Sequence, residues 1–117
     1  MQIDERTVGD VTILDLKGRL VAGDGDDVFR SAIERLVRDG RTNLLLNLDG
    51  VTDIDSCGLG VLVSKYVTLR KRNGQLKLFN IRQRPRRVLD VTKLLTVFES
   101  FDSETDGVES FSGSPKV

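Results

Sequence analysis

Apolar and polar positions along this chain fall into short runs of two kinds, and the switches between them mark out the elements. Ile3 to Thr7 and Val11 to Leu16 read as strands around Val8-Gly9-Asp10, a turn-forming cluster, so the pattern predicts an opening hairpin. Gly18, Gly23 and Gly25 then loosen the chain. Asp24 or Asp26 is placed to cap a helix in which Val28, Phe29, Ala32, Ile33, Leu36 and Val37 form one apolar stripe, and Gly40 is placed to end it. Asn43 to Leu48 is a short apolar run with the character of a buried strand.

The stretch Val51 to Gly60 is expected to be a strand-to-helix turn. Beyond it Leu59, Leu62, Val63, Tyr66, Val67 and Leu69 recur at helical spacing, with Ser64, Lys65, Thr68 and Arg72 on the other face. Asn73-Gly74 closes that helix, and a strand follows from Gln75 to about Phe79. Pro85 suits the first turn of a third helix carrying Val88, Leu89 and Val91, because it lacks an N–H that would be unsatisfied there. Thr96 to Phe101 is expected as a last strand and Ser103 to Phe111 as a final helical turn or two. Residues 112–117 read as a flexible tail. Strands alternating with helices after a hairpin imply one α/β domain over residues 1–111. Its sheet is expected to be mixed and mostly parallel, with four or five strands and three or four helices.

Composition narrows the function classes. A hydrophobic share of 38% with 31% charged residues describes a globular protein, and no apolar run approaches the roughly 20 residues of a membrane span. The start, Met1-Gln2-Ile3-Asp4-Glu5, lacks the basic region and apolar core of a signal peptide, so a cytoplasmic address is expected. There is no histidine, which removes the usual general base of hydrolases and any His-based metal site. The single Cys57 makes neither an internal disulfide nor, alone, a metal site. No metal and no cofactor is expected. Sparse aromatics and a net charge of zero argue against unaided nucleic-acid binding.

The charge is unevenly spread. Arg70, Lys71, Arg72, Lys77, Arg82, Arg84, Arg86 and Arg87 follow one another without an acid between them, and Glu99, Asp102, Glu104, Asp106 and Glu109 without a base. The basic run is either a solvated face or an electrostatic face towards a partner. The Leu94-Leu95 and Val97-Phe98 groups read as core.

The chemistry concentrates at Asp53-Ile54-Asp55-Ser56-Cys57-Gly58-Leu59-Gly60. Ser56 is expected in the first turn of a helix, where free N–H groups and the helix dipole favour a hydroxyl, a carboxylate or a phosphate. Asp53 and Asp55 add negative charge, and Gly58 and Gly60 remove bulk. The plain reading makes Ser56 a helix cap. A nucleophile elbow is excluded, since Ile54 stands where its first glycine belongs and no histidine exists to activate the serine. Nothing matches the Gly-Lys-Ser/Thr of a phosphate-binding loop. Asp53-Ile54-Asp55-Ser56-Cys57 also looks like the Asp-x-Asp pattern of haloacid-dehalogenase-type phosphatases, but the strands downstream supply neither the lysine nor the acidic pair for magnesium cleanly. Cys57 is either a small semi-buried residue or, at a thiolate-favouring helix start, a redox group.

Asp55-Ser56-Cys57-Gly58-Leu59-Gly60, preceded by an apolar strand and Gly50-Val51, resembles the signature of the STAS domain, the sulfate transporter and anti-sigma factor antagonist fold. The resemblance runs from the hairpin through Leu14-Asp15-Leu16-Lys17-Gly18-Arg19-Leu20 to Leu94-Leu95-Thr96-Val97-Phe98. It implies a stand-alone bacterial anti-sigma factor antagonist, itself no enzyme. Ser56 aligns with the serine phosphorylated by a partner that is both anti-sigma factor and serine kinase. Binding of the unphosphorylated antagonist releases the sigma factor, phosphorylation breaks the complex, and a phosphatase restores it. The implied partner-binding residues are Asp24, Asp53, Asp55, Ser56, Cys57, Gly58 and Leu59. The chain carries Val21 and Asn47 where many relatives carry aspartate, with Asp24 and Asp26 near the first of these. A non-phosphorylated STAS scaffold, in a stress-signalling or lipid-transport complex, is the alternative within the family.

Overall fold

The computed structural model describes residues 1–112. The opening hairpin is present: β1 (Gln2–Val8) and β2 (Val11–Leu20) pair antiparallel from Val8↔Val11 to Gln2↔Lys17. After the helix α1 (Asp26–Arg38), β3 (Asn43–Ile54) lies parallel to β2. Then come α2 (Ser56–Lys71), β4 (Gln75–Phe79), α3 (Gln83–Val91), a 3-10 turn over Leu94–Thr96, β5 (Ser100–Phe101) and α4 (Glu104–Ser112). The strands stand in chain order, β1-β2-β3-β4-β5, and only β1 runs antiparallel to its neighbour. This is the expected α/β layer with a mixed, mostly parallel sheet.

Side-chain alternation on the sheet separates two cores. Leu14, Leu16, Leu44, Leu46, Leu76 and Leu78 face α1, α2 and α3, which contribute Phe29, Ile33, Leu36, Val61, Leu62, Leu69 and Leu89. On the other face Val11, Ile13, Leu45 and Phe79 pack under α4 with Phe101, Val108 and Phe111. Asn47 shares that face. Its amide donates to Asp15 at 2.8 Å, and Asp15 takes a two-pronged grip from Arg6 at 2.6 and 2.9 Å. Arg6 also holds Glu104, so the hairpin, the sheet and α4 are tied together.

Several expectations need correction. The central strands are longer than their apolar runs: β2 continues to Leu20 and β3 to Ile54. Their polar ends pair with each other, from Gly18↔Val51 to Leu20↔Ile54, across register shifts near Asp15 and Gly18. The expected strand-to-helix passage over Val51–Gly60 therefore resolves into strand as far as Ile54, the single residue Asp55, and helix from Ser56. The expected last strand shrinks to Ser100–Phe101, because Leu94–Thr96 turns helically before it. Phe98 is buried as expected and Leu94 and Leu95 pack against the core, but Val97 is exposed. Gly25 stands at the cap of α1 without a side-chain bond, while Asp26 accepts from the Gly23 N–H inside the preceding loop. Val28 is exposed and drops out of the α1 stripe. Gly40 does end α1, at a positive φ of 79° that lets Arg41 N–H reach back to Leu36 O at 2.8 Å.

The buried face of α2 is also shifted. Val61 and Lys65 are buried and Val67 is exposed. Lys65 lays its aliphatic stem in the α1–α2 seam and places its ammonium 3.1 Å from Glu34. Lys77 leaves the basic run altogether: it is buried beneath α4, with Ser110 at 3.0 Å, Glu99 at 3.3 Å and the Phe111 ring at 4.6 Å. α4 reaches Ser112, the first residue of the expected tail, and residues 113–117 lie outside the described residues. No helix among the described residues is long and apolar enough to cross a membrane.

Candidate functional site

β3 ends at Ile54, and one extended residue, Asp55, joins it to α2. One Asp55 carboxylate oxygen accepts the Gly58 N–H at 2.9 Å, which caps the helix. The other accepts the Ala22 N–H at 3.0 Å, in the loop between β2 and α1. Asp55 N–H in turn donates to Leu20 O at 3.3 Å. The carboxylate therefore holds two loops in one surface. The Ala22 N–H, then the Gly58 N–H, hold its pKa below the ordinary carboxylate range.

The cap is Asp55 and not Ser56. Ser56 takes the first helical position, exposed, and its hydroxyl makes no hydrogen bond to another described residue. Cys57 follows as an exposed free thiol, so the semi-buried reading of it does not hold. Gly58 is buried: a Cβ there would stand 2.0 Å from Leu20 O. Only glycine lets the start of α2 press this closely on the end of β2. Leu59 is half-buried against the core, and Gly60 is open, with nothing within 4 Å of a Cβ.

Asp53 points elsewhere. Arg84 of α3 donates to it at 2.9 Å, and Arg19, its register partner on β2, lies at 3.8 Å. Arg84 foremost holds the Asp53 carboxyl low. The Asp53 charge expected beside Ser56 is thus matched by two guanidinium groups, the reverse of a carboxylate offered to magnesium or to a substrate phosphate. Asp24 is exposed on the β2–α1 loop, 3.7 Å from the Met1 amino group. The structure brings Asp55, Ser56, Cys57 and Gly58 together with the Ala22 loop, and turns Asp53 towards α3. Arg19 and Ala22 were not singled out from sequence. Their role depends on β2 continuing alongside β3, which no local pattern signals.

Residues 2–107 match the STAS domain model, and the chain belongs to the STAS domain family. The anti-sigma-B factor antagonist of Bacillus subtilis (strain 168) is 33% identical over 82 residues, which is 70% of this chain and 74% of that protein. The crystal structure of a candidate anti-sigma factor antagonist from Thermotoga maritima aligns with a TM-score of 0.86 at 25% identity, covering 92% of each chain. SpoIIAA has the same fold at 18% identity in both its unphosphorylated and phosphorylated forms. The TM-scores are 0.72 and 0.71, covering 97% and 94% of this chain and 100% and 99% of SpoIIAA.

Proposed function

We propose that this chain is an anti-sigma factor antagonist switched by phosphorylation of Ser56. The observation that carries the reading is the division of labour at the start of α2. Asp55 already caps the helix, so the exposed Ser56 hydroxyl, which bonds no other described residue, is left for chemistry. Support also comes from the relatives named as antagonists and from SpoIIAA, a protein of this fold that exists in a phosphorylated form.

The unphosphorylated surface, Asp24, Asp53, Asp55, Ser56, Cys57 and Leu59 with Gly58 beneath it, docks on an anti-sigma factor that is also a serine kinase, and the sigma factor is released. The kinase transfers the γ-phosphoryl group of a nucleoside triphosphate to Ser56 Oγ, which loses its proton as the nucleoside diphosphate leaves. The new group brings about −1.5 to −2 charge to the contact surface. At the first helical position the dipole tolerates that charge, so the fold persists while the complex does not. A phosphatase returns the hydroxyl. The site of action is the cytoplasm. The test is mass spectrometry of Ser56 in protein from its native cell, before and after phosphatase treatment. A phosphate on Ser56 supports the switch. Its absence under every growth condition favours a non-phosphorylated scaffold.

A further inference from the structure

The basic residues between Arg70 and Arg87 divide into groups, and the fold accounts for only some of them. Arg70 and Lys71 lie in the last turn of α2, where the helix dipole favours cations, and Arg70 also lies over the Tyr66 ring at 5.8 Å. Lys77 is buried under α4 among Ser110, Glu99 and Phe111. Arg82, Arg84, Arg86 and Arg87 instead crowd the start of α3, the end of a helix that disfavours positive charge. The first turn of α3 holds no acid, and Arg82 at the cap position makes no capping bond. Arg82 reaches Asp49 at only 3.8 Å, and Arg84 bonds Asp53 at 2.9 Å while keeping 74% of its side chain exposed.

Arg84, Arg87 and Val91 follow at i, i+3 and i+7 and so share one outward stripe of α3. Val91 is 73% exposed, the most open large apolar residue among the described residues. A cleft of about 390 Å³ between Thr52 and Arg82–Pro85 adjoins a second lined by Gln83, Arg84 and Arg87. Cations gathered at the wrong end of a short helix cost stability, and such local conflict is characteristic of surfaces kept for use.

We propose that this stripe of α3 is a docking surface for an acidic segment of a protein partner, with carboxylates on Arg84 and Arg87 and an apolar side chain on Val91. Charge complementarity selects the occupant, since a basic or neutral segment gains nothing from these arginines. The surface works whether or not Ser56 is modified.

The probe is a short glutamate-rich peptide carrying one leucine, titrated into the full chain at low salt and followed by amide chemical shifts and fluorescence anisotropy. Shifts are expected along Gln83–Val91. Arg84→Gln with Arg87→Gln should weaken binding about tenfold, as loss of two exposed ion pairs of up to ~1 kcal/mol each would do. Arg70→Gln with Lys71→Gln, at the other basic end, should change it less than about twofold. Absence of shifts at α3, equal losses from both double variants, or displacement of the peptide by equimolar inorganic phosphate would overturn the proposal.

Discussion

The Asp55 carboxylate and the Ala22 N–H, 33 residues apart in the chain, meet at 3.0 Å, and this contact makes the β2–α1 loop and the start of α2 one surface. Asparagine at position 55 keeps one acceptor oxygen where two N–H groups compete for it. Asp55→Asn should therefore lower the melting temperature and speed amide exchange at Ala22, with β4 unaffected. Unchanged exchange at Ala22 would contradict the clamp.

The same carboxylate sets a pH dependence. Its folded pKa is lowered, so its contribution is complete above the unfolded value of about 3.9 and is lost as pH falls through the lower folded value. Asp53 and Asp15 shift in the same direction, through Arg84 and Arg6 respectively. Urea midpoints should fall on acidification below about pH 4, and Asp55→Asn should fall less steeply than wild type. Parallel curves would show that Asp55 is not held by these N–H groups.

Two glycines in α2 should respond oppositely. Gly58→Ala forces a methyl against the Leu20 carbonyl, which is backbone and cannot swing aside, so a loss of roughly 1–3 kcal/mol or more is expected. Gly60→Ala meets open space and should stabilise by up to ~1 kcal/mol. Chemical denaturation of the two variants checks the pair.

Leu62 is fully buried between α2 and the sheet. Leu62→Ala should cost about 2–5 kcal/mol in the same assay. A change below about 0.5 kcal/mol would place Leu62 on the wrong face of α2.

Lys77 tests the buried cation. Glu99 and Ser110 remain near solvent, so Lys77→Met, which keeps the volume, should stay within about 1 kcal/mol of wild type. Lys77→Ala empties the space beneath Phe111 and should raise amide exchange across Glu104–Ser112. Equal exchange in the two variants would mean that packing around Lys77 does not hold α4.

Where local chemistry decides the structure, the sequence was legible. Asn73-Gly74, with Asn73 at a φ of 62°, stops α2, and β4 begins and ends where the pattern placed it. Gly40 ends α1 for the same reason. What stayed hidden depends on partners distant in sequence. The polar ends of β2 and β3 become strand only by pairing with each other. Lys65 and Lys77 look like surface residues until Glu34, Ser110 and Phe111 are brought to them. At the site the position of Ser56 was legible, but the cap was not, because aspartate and serine are both favoured caps and stand side by side. The pairing of Asp53 with Arg19 and Arg84 required the tertiary fold.

The central claim is that charge on Ser56, and not loss of the fold, governs partner binding. Ser56→Ala and Ser56→Asp should both melt close to wild type, since Asp55 remains the cap. The measurement is the affinity of each variant for the cognate anti-sigma protein by calorimetry. One added charge about 6 Å from an acidic partner group, at an effective dielectric near 20, costs roughly 3 kcal/mol before screening. Ser56→Asp should then bind on the order of 100-fold more weakly than Ser56→Ala, and phosphorylated protein more weakly still. Equal affinities for the alanine and aspartate variants, with both folded, would contradict the account.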